Sequence, residues 1–486
     1  MTNIRLPGRR RAAAGVVAGA LVALAACSTD DLLRSKDPDL IAPGDFDSPA
    51  GAQALRFGAI GRFADVFAAN FDTNPWLFGG LLADEYSSSS TFSQNDETDK
   101  RQITIENASI RDLFRMVNRV RTSTNQAIAA LEEFSPDETV DIAEMQFLRG
   151  FAEMQIAQDF CNGTPLSDAS GAEPIPGEPL SNAEVFQRAI ASFDEALATI
   201  GTQTGGQADT VRWAAQVGKG RALRQLGDFA NASTAVTGVP DRFAYRLTVS
   251  ATTGRNIHWG QINSARRFTI GDSLEGNGRD IIMVNALPFF TAQDPRVLVR
   301  YTVSANGRDT TRGQDGLTFS RTLRNVYANT AGLDPIEVVN GKDAQLIRAE
   351  ALITPNPGGW LAILNAMRAD VANYPTVTDV AASASVLAPP PIPPRPLPAL
   401  TDPGTQEARV RMHYREKAFW TFGRGQRLSD LRMLVREYSF PEASVFPTGP
   451  RYYKGGDYGT DKNFPIPQAE ENNPLEQSRR CTNRDA

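Results

Sequence analysis

Apolar residues recur at three- and four-residue intervals over most of the chain, and that spacing predicts a mainly α protein. The first such stripe, Leu55, Ile60, Phe63 and Phe67, predicts a helix over Ala54 to Ala69. Helical periodicity resumes at Arg111 and continues to Pro240. Within it, Ser135, Pro136, Asp137 and Glu138 combine an N-cap serine, a proline at the first helical position and a capping-box glutamate, so a helix should start there. Its continuation carries Met145, Leu148, Ala152 and Ile156 on one side and Phe147, Phe151 and Met154 on another, as a helix packed between neighbours does. Glycine and proline break the pattern across Phe160 to Pro165.

Ser181 and Glu184 form a second capping box ahead of Phe186, Ala189, Phe193, Ala196 and Ile200. Alanines beside phenylalanines at this spacing let two helices approach closely while the rings fill the gap. Trp213 to Leu226, a turn at Gly227 and Asp228, and then Phe229, Ala232, Val236 and Val239 make a further helical pair. That turn resembles the inter-helix turn of a tetratricopeptide repeat, and Ala189, Phe193 and Ala196 resemble the second helix of one. Helix returns at Lys342 to Ile353, Trp360 to Val371, Gln406 to Phe422 and Leu428 to Glu437.

Two regions lack the period. Asn70 to Glu106, with Pro75, Gly79, Gly80 and a run of serines from Ser87, reads as a long loop and a candidate binding surface. Between about Arg242 and Thr330, short runs (Tyr245 to Val249, Arg267 to Ile270, Asp280 to Val284, Val297 to Val303) alternate with glycine-rich turns and suggest a loop-rich lobe with short hairpins. A proline-rich tract, 389–403, should run extended on the surface, and an aromatic, Gly- and Pro-rich tail from Phe446 should lie across the helices.

The amino end changes the picture. Arg5, Arg9, Arg10 and Arg11 precede an uncharged run from Ala12 to Ala26, the layout of a secretory signal. The run is shorter than the roughly 20 residues that span a bilayer as a helix. Leu24, Ala25, Ala26 and Cys27 resemble the lipobox of bacterial lipoproteins, in which the cysteine is lipidated and becomes the new terminus; the plainer alternative is an ordinary signal in which Cys27 is incidental. Ser28, Thr29, Asp30 and Asp31 resemble the surface-export pattern of some Gram-negative lipoproteins. On this reading 1–26 is removed, and 27–486 forms one body, with helical scaffold at about 54–240 and 342–437 and the lobe at about 242–330. Loss of the four signal arginines takes the net charge from −6 to −10, which argues against nucleic acid and against electrostatic adhesion to anionic lipid. Lipid chains would then supply the attachment. Of the three cysteines, Cys161 and Cys481 remain; in an exported protein they can pair, or stand as two separate thiols.

A family likeness rests on three further groups of residues. Leu346, Ile347, Arg348, Ala349, Glu350 and Ala351, followed by Asn365 and Arg368, resemble a helical motif of the SusD/RagB nutrient-uptake lipoproteins. So do Arg415 to Trp420 leading to Gly425, Arg427, Asp430, Leu431 and Arg432, and the closing run Phe446, Pro447, Gly459, Thr460, Asp461, Pro465, Ile466, Pro467, Glu470, Asn473 and Pro474. The resemblance implies a SusD-like fold of tetratricopeptide-like helical pairs supporting a loop-rich lobe. It also implies a non-enzymatic outer-membrane surface lipoprotein that binds an oligosaccharide or peptide and delivers it to a TonB-dependent barrel transporter. The proline-rich tract reads as an insertion in that family, and no ligand contact carries over from it.

The inventory of reactive residues is thin. With only His258 and His413, and neither an HExxH motif nor paired CxxC, neither a metal centre nor a cofactor is expected. Asp84 and Glu85 are the one carboxylate pair that a secreted hydrolase could use, but adjacent loop residues are more often solvated than poised on one substrate. A helical-repeat adaptor that binds only protein is the other alternative. For glycan binding, an aromatic face meets the C–H face of a sugar and amide or guanidinium groups meet its hydroxyls. Trp76, Tyr86 and Trp259, with Asn95 and Arg101, are the candidates in loop-like context; the competing role for each tryptophan is to pin a loop to the scaffold. Trp213, Trp360 and Trp420 sit in helical stripes and read as core.

Overall fold

A computed structural model describes residues 47–69, 73–171, 173–274, 282–301, 310–323, 326–327, 331–375, 395–451 and 454–486. The signal segment and Cys27 lie outside them, as do residues 389–394 of the proline tract and parts of the runs beginning at Asp280 and Val297.

The chain enters through α1 (Pro49–Phe67), whose N-cap Ser48 accepts from the Gly51 N–H at 3.0 Å. The stretch read as a long loop instead holds α2 (Pro75–Leu82), β1 (Tyr86–Ser88) and α3 (Ser93–Asp99). The reason is local: the Asn74 side chain caps α2, Pro75 starts it, and every residue of α2 is buried. A helix apolar on all sides has no amphipathic period to reveal it. The long α4 (Ala108–Phe134) and α5 (Thr139–Asp159) follow. Ser135 does not open α5 as its capping box predicted; its N–H bonds the Leu131 carbonyl at 2.8 Å, so it closes α4. A turn at Pro136 and Asp137, closed by the Glu138 N–H on the Ser135 carbonyl at 3.0 Å, then leaves Glu138 at the N-cap of α5 with no side-chain bond.

After α5 a two-residue ladder pairs β2 (Thr164–Pro165) with β3 (Pro179–Leu180). Next come α6 (Asn182–Ile200), α7 (Gly206–Gln225) and α8 (Phe229–Ala235), and the Ser181–Glu184 capping box of α6 is complete. Helices α4 to α8 stack as successive antiparallel neighbours, with α1 against α4. Phe193 of α6 explains the closeness of the stack. A Cβ on Gly150 of α5 or Gly218 of α7 would stand 2.9 or 2.6 Å from its ring, so only glycine at both positions lets the ring lie between the two helices. Full burial of such a ring contributes roughly 2–3 kcal/mol.

The lobe contains β4 (Ala244–Leu247), β5 (Phe268–Ile270), β6 (Val299–Tyr301), β7 (Arg321–Leu323) and β8 (Ile336–Asn340). Tight hairpins are not what these strands form. β1 pairs with β5 and β4 with β8, antiparallel and far apart in sequence, while β6 pairs antiparallel with the next strand, β7. β1 and β4 thus find their partners across the lobe and not through a tight turn. The last helices are α9 (Gly341–Leu352), α10 (Pro357–Ala369), α11 (Gln406–Trp420) and α12 (Arg427–Arg436). The described part of the proline tract lies along α10: Arg368 Nε donates to the Pro398 carbonyl at 2.8 Å and the Leu400 N–H to Asn365 Oδ1 at 2.7 Å.

The tail crosses the helix ends and is fastened there. Cys161 and Cys481 form a disulfide across a separation of 320 residues. Beside it, Cys161 N–H donates to the Phe464 carbonyl at 2.9 Å and Phe464 N–H to the Asp159 carbonyl at 2.7 Å. By the loop-entropy model so long a bridge stabilises the fold by on the order of 5 kcal/mol.

The two halves of the scaffold are joined by buried charge. Arg224 of α7 donates to Glu350 of α9 and, at 2.8 Å, to Asp430 of α12. Lys417 of α11 also pairs with Asp430. Tyr414 donates to Glu350 Oε1 at 2.6 Å and Tyr438 at 3.2 Å, while His413 Nε2 approaches Glu350 Oε2 at 3.7 Å. Burial pushes the Glu350 carboxyl up, but Arg224 and His413 outweigh it and hold the group below its ordinary value. Replacing Glu350 by alanine leaves Arg224 with Asp430 as its one remaining carboxylate and takes the acceptor from the buried Tyr414 hydroxyl and from that of Tyr438. The expected cost is about 3–5 kcal/mol, read as a lower midpoint in urea unfolding; a loss under about 1 kcal/mol would show that the network adds little.

Candidate functional site

A cleft of about 480 Å³ opens where the lobe meets the C-terminal helices. Its walls come from the end of β8 and start of α9 (Glu337, Asn340, Lys342), the segment after α10 (Asn373, Tyr374) and the end of α11 (Phe419, Trp420), with Tyr327 from the lobe. An Asn340–Asp343 capping box sets the β8 to α9 corner, which fixes where Glu337 and Lys342 emerge.

Most of the charges here are already committed. Arg424 donates to Asp343 Oδ1 at 3.0 Å and to the Glu337 carbonyl at 3.1 Å. Arg296 donates to Asp294 Oδ1 at 2.8 Å and Glu416 Oε2 at 2.6 Å, and lies over the Phe419 and Trp420 rings at 5.0 and 4.9 Å. Glu337 pairs with Arg246 at 2.7 Å. Three groups are not committed. The Lys342 ammonium and the Tyr327 hydroxyl make no hydrogen bond or ion pair with the described residues, and Trp420 Nε1 is buried without a partner. Burial lowers the Lys342 pKa while Glu337 opposes the change. Two free polar side chains between the rings of Tyr374, Phe419 and Trp420 suit a ligand with an apolar face and hydroxyl edges.

Tyr327 is held from behind. It has φ +53°, and its ring stacks on His258 at 4.7 Å between centroids and 16° between planes. His258 is fully buried; burial pushes it down to about 3, so it is neutral, and its Nδ1 lies 3.3 Å from the Tyr86 hydroxyl.

The residues singled out for ligand contact take other roles. Trp76 is 0% exposed, its Nε1 donates to Gln155 Oε1 at 3.0 Å, and its ring packs on Phe67 and Phe151. Gly425 lies against it with φ +65°; a Cβ there would come within 2.0 Å of the indole, so the glycine serves Trp76. Tyr86 is also 0% exposed and belongs to the layer under Tyr327. Asn95 is buried in α3. Arg101, likewise buried, donates to the carbonyls of Asp461 at 2.9 Å and Pro447 at 2.6 Å and so ties down the tail. These four are buried and none lines the cleft, the first three because α2 to α3 fold into the interior and Arg101 because it is held by the tail. Trp259 alone is half-buried, at the start of a π-helical turn outside the cleft, with Arg255 over its ring at 5.9 Å. Cleft residues Tyr327, Tyr374 and Lys342 had no motif to mark them, and Trp420 was read as core; its place at the last turn of α11 was the only signal that it borders a surface.

Asp84 and Glu85 are neither solvated nor set across a cleft. Both are buried, and Asp84 adopts φ +61° with neither carboxyl oxygen hydrogen-bonded. Burial raises both; the Glu85 carboxyl is pushed up to about 8 although the Gly423 N–H donates to it at 2.9 Å. Among the described residues no group of three or more His, Cys, Asp or Glu is placed to hold a metal ion.

No protein-family model matches the sequence, and no curated protein matches it. Solved structures do. A SusD-like carbohydrate-binding protein from Bacteroides fragilis superposes with a TM-score of 0.59 at 14% identity, covering 88% of this chain and 98% of its own. A SusD superfamily protein from Bacteroides vulgatus gives 0.55 at 14% identity, covering 87% and 96%. A laminarin-binding SusD-like protein gives 0.54 at 15% identity, covering 88% and 99%. The chain has the SusD-like fold.

Glu85 generates a pH dependence. The native state keeps a proton that the unfolded chain releases above its ordinary pKa of 4.5, so this contribution is complete below pH 4.5 and is lost as the pH rises to about 8. Asp159, which burial pushes up to about 7, adds to the trend. Stability should therefore fall between pH 5 and 8 by on the order of a few kcal/mol. Glu85→Gln, which retains an acceptor for Gly423, should flatten part of that slope in urea melts at the two pH values; parallel slopes would refute the assignment.

Proposed function

We propose that this chain is a cell-surface lipoprotein that binds glycan fragments and delivers them, unaltered, to a TonB-dependent outer-membrane barrel. The observation that carries the reading is the cleft, with aromatic rings flanking two uncommitted polar groups, on a fold shared with SusD-like carbohydrate-binding proteins. The lipobox residues ending at Cys27 support lipid anchoring at the outer membrane, and no helix among the described residues is long and apolar enough to cross a membrane. A peptide ligand fits less well, because the free groups are side chains and not a sheet edge. A hydrolytic role for Asp84 and Glu85 loses support from their burial.

The test is titration calorimetry of the mature chain against soluble glycans, laminarin among them. At least one should bind, and Lys342→Ala and Tyr327→Phe should each weaken it by about 1 kcal/mol, roughly fivefold, with unchanged melting temperature. Binding that ignores both substitutions would remove the cleft from the reading. In cells, Cys27→Ala should move the protein from the membrane to the soluble fraction. A large barrel receptor should co-purify with the tagged wild type from detergent-solubilised outer membranes; recovery of the protein alone would count against the transport role.

A further inference from the structure

Along the exposed side of α4, Arg111, Arg115 and Arg119 recur at every fourth residue. On a helix that interval sets successive stems about 6 Å apart along one face. Like charges at this spacing destabilise a helix by roughly 0.2–0.5 kcal/mol per pair, so folding gains nothing from the row. Counter-charge is sparse: Asp112 serves Arg111 at 3.1 Å and Arg115 at 3.4 Å, Glu470 is the one carboxylate among the residues lining the groove beside the row, and Arg119 has no ion pair among the described residues. The row also runs against the net charge of −6.

These arginines do not stand on a flat face. They border a groove of about 640 Å³ closed on its other side by the tail at Pro467 to Glu470 and by the Pro165 to Ala169 segment. Hydroxyls of Thr122 and Ser167 line it as well. None of its lining residues belongs to the cleft described above.

We infer that this groove binds a second ligand, a segment of anionic glycan bearing a carboxylate or sulfate at regular intervals. Guanidinium groups pair with such anions through two parallel N–H donors, which favours a charge presented at each step of the row. An acidic peptide fits less well. The middle of α4, which carries the arginine row, has no free backbone N–H to offer an extended peptide backbone. Sugar hydroxyls need only side chains.

The experiment is calorimetric titration of the mature chain with polygalacturonate and with heparin, beside neutral dextran, at low and high salt. One anionic polymer should bind and dextran should not, with affinity falling as salt rises. The Arg115→Glu, Arg119→Glu double variant should lose about tenfold or more, the Arg115→Lys, Arg119→Lys pair, which keeps the charge but not the two-donor fork, should lose a smaller but measurable part, and Lys342→Ala should leave the binding unchanged. If the glutamate variant does not fold, the Arg115→Gln, Arg119→Gln pair reads the same loss. Three results would overturn the proposal: absence of binding to either polymer, a loss on Lys342→Ala with the arginine variants unaffected, or polyglutamate binding as tightly with the same arginine dependence. The last would assign the groove to an acidic protein. Neutral-glycan binding in the cleft is read separately, so failure here leaves that reading standing.

Discussion

The buried pairing of Arg224 with Glu350 and Asp430 is the constraint around which the structure is arranged. Each of these groups costs several kcal/mol to remove from water, and only complete mutual satisfaction offsets that cost. The arrangement comes close to that condition, with one cation shared between two carboxylates, a second cation on Asp430 and two tyrosine hydroxyls on Glu350, and leaves Asp430 Oδ2 without a hydrogen bond. Because the members come from α7, α9, α11 and α12, the geometry is met only when the N-terminal helical stack and the C-terminal helices dock in one way. A displaced docking would leave a charge uncompensated in the interior. Two of the motifs that resemble the SusD/RagB family, those around Glu350 and Asp430, are therefore parts of the scaffold and not of a ligand site.

The cleft inherits its rigidity from that docking. Lys342 and Trp420 belong to α9 and α11, whose interior positions carry Glu350 and Lys417, so the same contacts that fix the helices fix the walls. Arg424, just past α11, closes the corner by binding Asp343 at the start of α9. Tyr327 is the exception, since it comes from the lobe. Its ring is set by the neutral His258 behind it, and His258 in turn rests among Trp76 and Tyr86. The residues between 74 and 101 thus act on the cleft through two layers of packing. A site of this construction presents preformed surfaces and can spend little of its binding energy on ordering.

That same stretch shows why chemistry in the sequence can mislead. Asp84 and Glu85 look reactive in isolation, yet burial drives both toward their neutral forms, and they sit beneath the lobe where β1 pairs with β5. Arg101 keeps a hydrogen-bonding role but spends it on tail carbonyls. The tail, locked by the Cys161–Cys481 bond and by these contacts, covers the ends of the scaffold helices and forms one wall of the arginine groove.

The amphipathic helices were determined by the sequence on its own, unlike the wholly buried α2: the predicted limits of the last four lie within a few residues of those observed, and the Ser181 cap and the Gly227–Asp228 turn are where the residues imply. Those features are local, because a hydrophobic period or a capping side chain needs only its neighbours in the chain. Tertiary structure decided the rest. Whether Trp76 faced ligand or core depended on Phe67, Phe151 and Gly425, the last of them some 350 residues away. Ser135 had to choose between closing one helix and opening the next, and β1 and β4 had to find β5 and β8 across the lobe. Tyr327 and Trp420 became neighbours of Lys342 only through docking of lobe on helices. Burial and pairing across long separations are collective properties of the packed chain, and no local pattern of residues encodes them.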